Sequence, residues 1–161
     1  MTTLIDPAFL AHQGEPYWFG SNLFEFLVPS DATGGRISVF RCSAPRGFGP
    51  PRHIHTREDE VFHVLDGDVS FELDGRRQAA GPGTTVWMPR GVPHGFRIES
   101  ETATLLGIIT PGDYEHLFRS LGSPATARTL PPHDAPPLDV PALVAEMNAR
   151  GTEVVGPPLG A

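Results

Sequence analysis

The 161 residues carry a formal net charge of −7 from twelve basic and nineteen acidic side chains, without a single lysine. That balance excludes a general nucleic-acid binder, which needs clustered cations against phosphate. The length suits one domain with a core that needs no staples, and no stretch approaches the ~20 apolar residues of a membrane span.

Residues 1–19 lack a basic start, and their apolar stretches are broken by Asp6, Pro7 and His12, so they make a poor secretory signal. The lone Cys42 cannot form an internal disulfide, which fits a reducing compartment. A soluble, cytoplasmic protein with no membrane or nucleic-acid partner is the expectation. From residue 23 to residue 109 the chain runs through short segments rich in Val, Ile, Phe and Thr: LFEFLV, RISVFRC, EVFHVL, VSFEL, TTVWM, GFRIE and TATLLGII. Eighteen glycines and eighteen prolines are spaced as punctuation between such runs, too many for a helical bundle. Several runs alternate with a period of two, and Asp66-Gly67 and Asp74-Gly75 are hairpin-turn dipeptides. The pattern predicts an all-β antiparallel sandwich or barrel over residues 22–110. Cys42 lies in an apolar run and reads as a small core residue.

Beyond Thr110 the pattern changes. Pro111-Gly112-Asp113 reads as a helix start with Asp113 as N-cap, followed by two turns over 114–121 and a stop at Gly122. A proline-rich connector spans 124–137. Asp139 and Pro141 then open a second helix, VPALVAEMNAR, ending at Gly151. Leu143, Val144 and Met147 form an apolar stripe that should dock on the barrel. The reading is a single domain, 1–161, with a short α-helical C-terminal extension over 111–161.

The chemistry concentrates in residues 47–67, GFGPPRHIHTREDEVFHVLDG. On a strand, positions i and i+2 share a face, so His53 and His55 point one way and Ile54 the other. A polar turn over 56–59 follows. Alternation then places Glu60, Phe62 and Val64 on one face and Val61, His63 and Leu65 on the other. If Phe62 and Val64 face the interior, so does Glu60, and a carboxylate there is costly unless it is paired or coordinates a cation. Glu58 and Asp59 compete for that role but lie in the turn, and Glu60 ranks first. Pro89, Gly91 and Pro93 fix a sharp approach to a strand beginning near His94. Three imidazoles and a carboxylate suit one divalent transition metal ion, Fe, Mn, Ni, Co, Cu or Zn, and leave positions open for water, substrate or oxygen. His63 reads as an outward strand residue, and His12, His116 and His133 as surface or packing residues.

These residues resemble the two motifs of the cupin superfamily. Gly47, His53, His55, Glu60 and Gly67 fit every position of the first motif. Gly83, Pro89, Gly91 and His94 fit the second, whose final Asn is replaced by Ile98. The resemblance implies a cupin double-stranded β-helix, a jelly-roll barrel, with His53, His55, Glu60 and His94 as metal ligands.

Inward parity gives a pocket lined by Phe62, Val64, Phe96 and Ile98, with Phe48, Phe71 and Trp87 or Met88 on neighbouring segments. Such a lining suits a flat organic ligand better than a sugar or nucleotide. Among cupins, the stretch HIHTREDEVFHVLDGDV and the tail pattern LFRSLGSPATARTLPP…EVVGPPL are similar to the small quercetin 2,3-dioxygenase-like group. That similarity implies a dioxygenase using O2 to open a flavonol-like or other enolic small-molecule substrate, with Glu60 as ligand and catalytic base. The alternatives are a non-oxidative metal-dependent cupin (isomerase, decarboxylase or polyketide cyclase) and a non-catalytic binding module. A homodimer covering open sheet edges is expected.

Overall fold

The computed structural model describes residues 13–160; the expectations for the extreme N-terminus, including that for His12, lie outside them. In chain order the elements are β1 (Glu15–Phe19), β2 (Asn22–Val28), β3 (Ser38–Pro45), β4 (Pro51–His55), β5 (Asp59–Asp66), β6 (Val69–Leu73), β7 (Arg76–Ala80), β8 (Thr85–Met88), β9 (His94–Ile98) and β10 (Thr102–Thr110). There follow α1 (Glu115–Leu121), β11 (Ser123–Pro124), α2 (Val140–Ala149) and β12 (Thr152–Pro158). They form two antiparallel sheets, β11-β1-β2-β3-β10-β5-β8 and β12-β4-β9-β6-β7, packed as the expected jelly roll. No helix among the described residues is long and apolar enough to cross a membrane.

Period-two alternation decides what each strand buries. Phe40, Cys42 and Ala44 of β3 point inward, as do Ala103, Leu105 and Ile109 of β10. Gly107, also on β10, supplies space: a Cβ there would overlap the rings of Phe40 and Phe62. Aromatic rings dominate the interior, and the stacked pair Phe24–Phe118, 4.4 Å between centroids, docks α1 on the seven-stranded sheet.

The structure corrects four expectations. Asp66-Gly67 is no hairpin, because β5 and β6 belong to different sheets. Gly67 (φ 81°) instead crosses between the sheets where a side chain would meet Ser100 and the Thr102 carbonyl. Asp74-Gly75, both at positive φ, does close the β6–β7 hairpin, as that dipeptide favours. Asp113 does not cap α1; its carboxylate accepts from the Ser30 hydroxyl (3.0 Å). The helix start is held by buried Glu115, which accepts from the Ser30 amide (2.9 Å) and the Ser38 hydroxyl (2.6 Å).

The barrel also begins earlier than residue 22, with β1, and the tail is not only helical. After α2, capped as expected by Asp139 accepting from the Ala142 amide (3.0 Å), the chain returns as β12. It lies antiparallel to β4, with Thr152 opposite His55 and Val154 opposite His53. The pattern EVVGPP hid this strand, because its prolines argue against a ladder position and are tolerated only at a sheet edge.

Gly107→Ala should lower stability by about 1–3 kcal/mol, the usual cost of an extra methyl in a packed core. Urea unfolding measures the loss.

Candidate metal centre

Three strands bring the four candidate ligands together. His53 and His55 are the inward residues of β4. β9 runs antiparallel beside it with His94 directly opposite His53. Glu60 is the first inward residue of β5 in the other sheet. All four are buried, and one ligand atom from each lies within 4.8 Å of the others. The two His53 and His55 Nε2 atoms are 3.2 Å apart. Glu60 Oε2 lies 3.6 Å from His94 Nε2 and 3.8 Å from His55 Nε2.

Backbone carbonyls on the far side of two of the rings fix their tautomers. His53 Nδ1–H donates to the Pro51 carbonyl (2.7 Å), and His94 Nδ1–H donates to the Val92 carbonyl (2.9 Å). A carbonyl oxygen only accepts, so both Nδ1 atoms carry the proton and both Nε2 atoms present a lone pair. His55 Nδ1 faces Thr152 Oγ1 (3.2 Å) and Glu58 Oε2 (3.3 Å), which favours the same tautomer. His94 Nε2 is buried without a hydrogen-bond partner. Burial first, then the neighbouring His94 and His55, lowers the His53 pKa from 6.5 to about 3. Burial alone would raise Glu60, but the pull of the three imidazoles, His94 foremost, outweighs it wherever those rings carry a proton towards it and holds the carboxyl below its ordinary value. Lone pairs and an ionised carboxylate converging in a buried site repel one another unless a cation lies between them. The donor set therefore fits a divalent transition ion.

Glu58 is the residue that sequence reasoning undervalued. The turn after β4 folds it inward, 6 % exposed, behind His55 rather than among the ligands. Its Oε2 lies 3.3 Å from His55 Nδ1 without completing a hydrogen bond, and a carboxylate charge in that place raises the basicity of the ring's far nitrogen. Asp59 instead begins β5 and pairs with Arg90 (2.9 Å). His63 bonds Thr85 on the outer side (2.8 Å). His116 lies 3.6 Å from Asp31, and His133 is exposed.

A cavity of about 230 Å³ opens in front of the ligands. Phe48, Phe62 and Phe96 line it. Val64, Phe71, Met88 and Ile98 do not: their parity is inward, but they pack into the core away from this cavity, and Phe71 borders a second one. Met88 rather than Trp87 turns inward, and Trp87 is 64 % exposed. Other lining residues come from segments with no motif to mark them, including Phe40, Tyr114, Leu138, Leu143 and Met147. Tyr114 sets its ring edge-on to His55, centroids 4.5 Å apart. Cys42 also reaches the cavity; burial, then the Glu60 charge, pushes its thiol up to about 12, so it stays protonated.

Residues 40–110 match the sequence family described as "Cupin domain". The chain is 30 % identical over 121 residues to a quercetin 2,3-dioxygenase of Bacillus subtilis (strain 168), an overlap covering 75 % of this chain and 36 % of that protein. It is 30 % identical over 122 residues to a quercetin 2,3-dioxygenase of Aspergillus japonicus, covering 70 % and 34 %. The chain thus spans about a third of the length of these curated relatives. Among solved structures, an RmlC-like cupin from Shewanella frigidimarina aligns with a TM-score of 0.58 at 18 % identity, covering 69 % of this chain and 96 % of that one.

Glu58→Ala should weaken divalent-metal binding by about 10-fold or more, read by chelator competition, with the ligands themselves intact. The His53 shift sets a pH dependence. Its folded pKa lies below its unfolded one, so between about 3 and 6.5 only the unfolded chain binds that proton. The stability of metal-stripped protein should therefore be fully present above 6.5 and fall as pH drops through this window. Thermal unfolding across pH measures it, and His53→Gln should flatten the slope.

Proposed function

Because the chain belongs to the cupin superfamily, we propose that it is a metal-dependent oxidoreductase that uses O2 to open a flavonol-like or other enolic aromatic small molecule. The observation that carries this reading is the placement of His53, His55 and Glu60 on the wall of an apolar cavity, with His94 beside them. The cavity gives an organic reactant a route to these side chains. The 30 % identity to two quercetin 2,3-dioxygenases supports the choice of reaction class.

His53, His55, Glu60 and His94 would hold the ion, which supplies Lewis acidity to a bound enol and, for a redox-active metal, a path for electrons to dioxygen. The chain's own residues do the rest. Nδ1 donation to Pro51 and Val92 keeps the imidazoles of His53 and His94 in the binding tautomer without rearrangement. Ionised Glu60 accepts the enol proton at a carboxylate oxygen, acting as general base in a site where few other acceptors compete. Phe40, Phe48, Phe62 and Phe96 exclude water and hold a planar ring system against the ligand end. Exclusion of water also strengthens each electrostatic contact inside.

The test is oxygen uptake by protein reconstituted anaerobically with each candidate ion and then given 3-hydroxyflavone. The expected result is consumption of flavonol and dioxygen together, only in metal-loaded protein. Glu60→Gln should slow turnover by about 100-fold or more, with metal content measured in parallel. Conversion at an equal rate under argon would assign the chain to non-oxidative chemistry instead.

A further inference from the structure

The cavity is chemically lopsided. His53, His55 and Glu60 form one end, and the remaining hydrogen-bonding side chains on its wall, Cys42 and Tyr114, belong to the same end. Cys42 is close enough to Glu60 to feel its charge, and Tyr114 packs against His55. Apart from the Met147 thioether, the rest of the wall consists of Phe, Leu, Val, Pro and Gly. Much of it comes from the tail, beyond the residues that match the family: Leu117 and Phe118 of α1, Leu138 of the connector, and Val140, Leu143 and Met147 of α2. The helical backbone of α1 and α2 satisfies its own amides and carbonyls, so those walls offer few spare partners. The polar side chains of α2 point elsewhere; Glu146, for example, pairs with Arg150.

We infer that this cavity selects an aromatic enol whose oxygens are gathered at one end, against the metal ligands, and whose outer rings are bare of hydroxyl groups. The inference rests on the proposed role of the cavity as the seat of the reactant. A hydroxyl carried into the apolar part leaves water and finds no partner, and this lowers affinity. An oxygen pair at the ligand end has the opposite effect, because the ion and Glu60 await it. Quercetin, with hydroxyls on both outer rings, is therefore a poorer fit here than 3-hydroxyflavone, which shares its enol and lacks those groups. Flavone, which lacks the enol as well, loses the one polar anchor the site provides.

Equilibrium dialysis of the three compounds against zinc-loaded protein under argon tests this, since a redox-silent ion allows binding without turnover. The expected order is non-monotonic in polarity: 3-hydroxyflavone binds about tenfold or more tighter than both quercetin and flavone. Quercetin binding as tightly as 3-hydroxyflavone overturns the inference. So does flavone binding as tightly, which would reveal a cavity that merely favours apolar compounds. Oxygen-dependent turnover of both flavonols without preference would overturn the selectivity and leave the proposed reaction standing. Failure of all three to bind would overturn both.

Discussion

Three imidazole nitrogens with exposed lone pairs and an ionised carboxylate share one small buried volume, and the rest of the molecule is arranged to keep them there. Such a group is unfavourable by itself, because like-signed lone pairs and a desolvated anion face each other at 3.2–3.8 Å. A divalent cation between them attracts every one of these donors and outweighs their mutual repulsion. The chain invests in holding the arrangement open. Both sheets contribute ligands, two backbone carbonyls fix ring tautomers, and Glu58 and Thr152 stand behind His55. Thr152 is fully buried at the start of β12, so the tail backs His55, one of the four candidate ligands, as well as walling the cavity.

The surroundings follow from the same constraint. A low-dielectric cavity makes a bound ion act more strongly on whatever oxygen approaches it, and aromatic walls provide that medium while leaving a flat space. Gly107 shows how closely the walls are set, since a single methyl on β10 would collide with the rings of Phe40 and Phe62. The barrel carries the four candidate ligands and most of the cavity wall, and the tail closes the rest of it. Helix α1 is tied in by Glu115, through its bonds to Ser30 and Ser38, and by the Phe24–Phe118 stack, which places neighbouring Tyr114 beside His55.

Legibility in the sequence tracked how local each signal was. His53 and His55 needed only period-two alternation, and Glu60 needed the same parity carried across a turn. His94 depended on the motif, because nothing local to residue 94 says that β9 will lie against β4. Glu58 was undervalued for the reason Glu60 succeeded: turn residues have no parity, so a turn folded inward is invisible until tertiary contacts exist. Inward parity named Phe62, Val64, Phe96 and Ile98 alike, yet it does not say how far along the barrel a side chain lies. Val64 and Ile98 are therefore core, whereas Phe62 and Phe96 face the cavity. β12 was hidden by its own prolines, and the tail's share of the cavity wall depends on contacts across more than 80 residues, such as that between Ser30 and Glu115, that no periodicity records.

The account stands on one cation at the meeting point of four side chains. Crystals grown with a divalent transition ion, with anomalous data collected on either side of its absorption edge, address that point directly. The account predicts a single strong anomalous peak per chain, within coordinating distance of Nε2 of His53, His55 and His94 and of a Glu60 carboxylate oxygen. A map without that peak, with the imidazoles turned away and their Nε2 atoms hydrogen-bonded to water or protein, would contradict it.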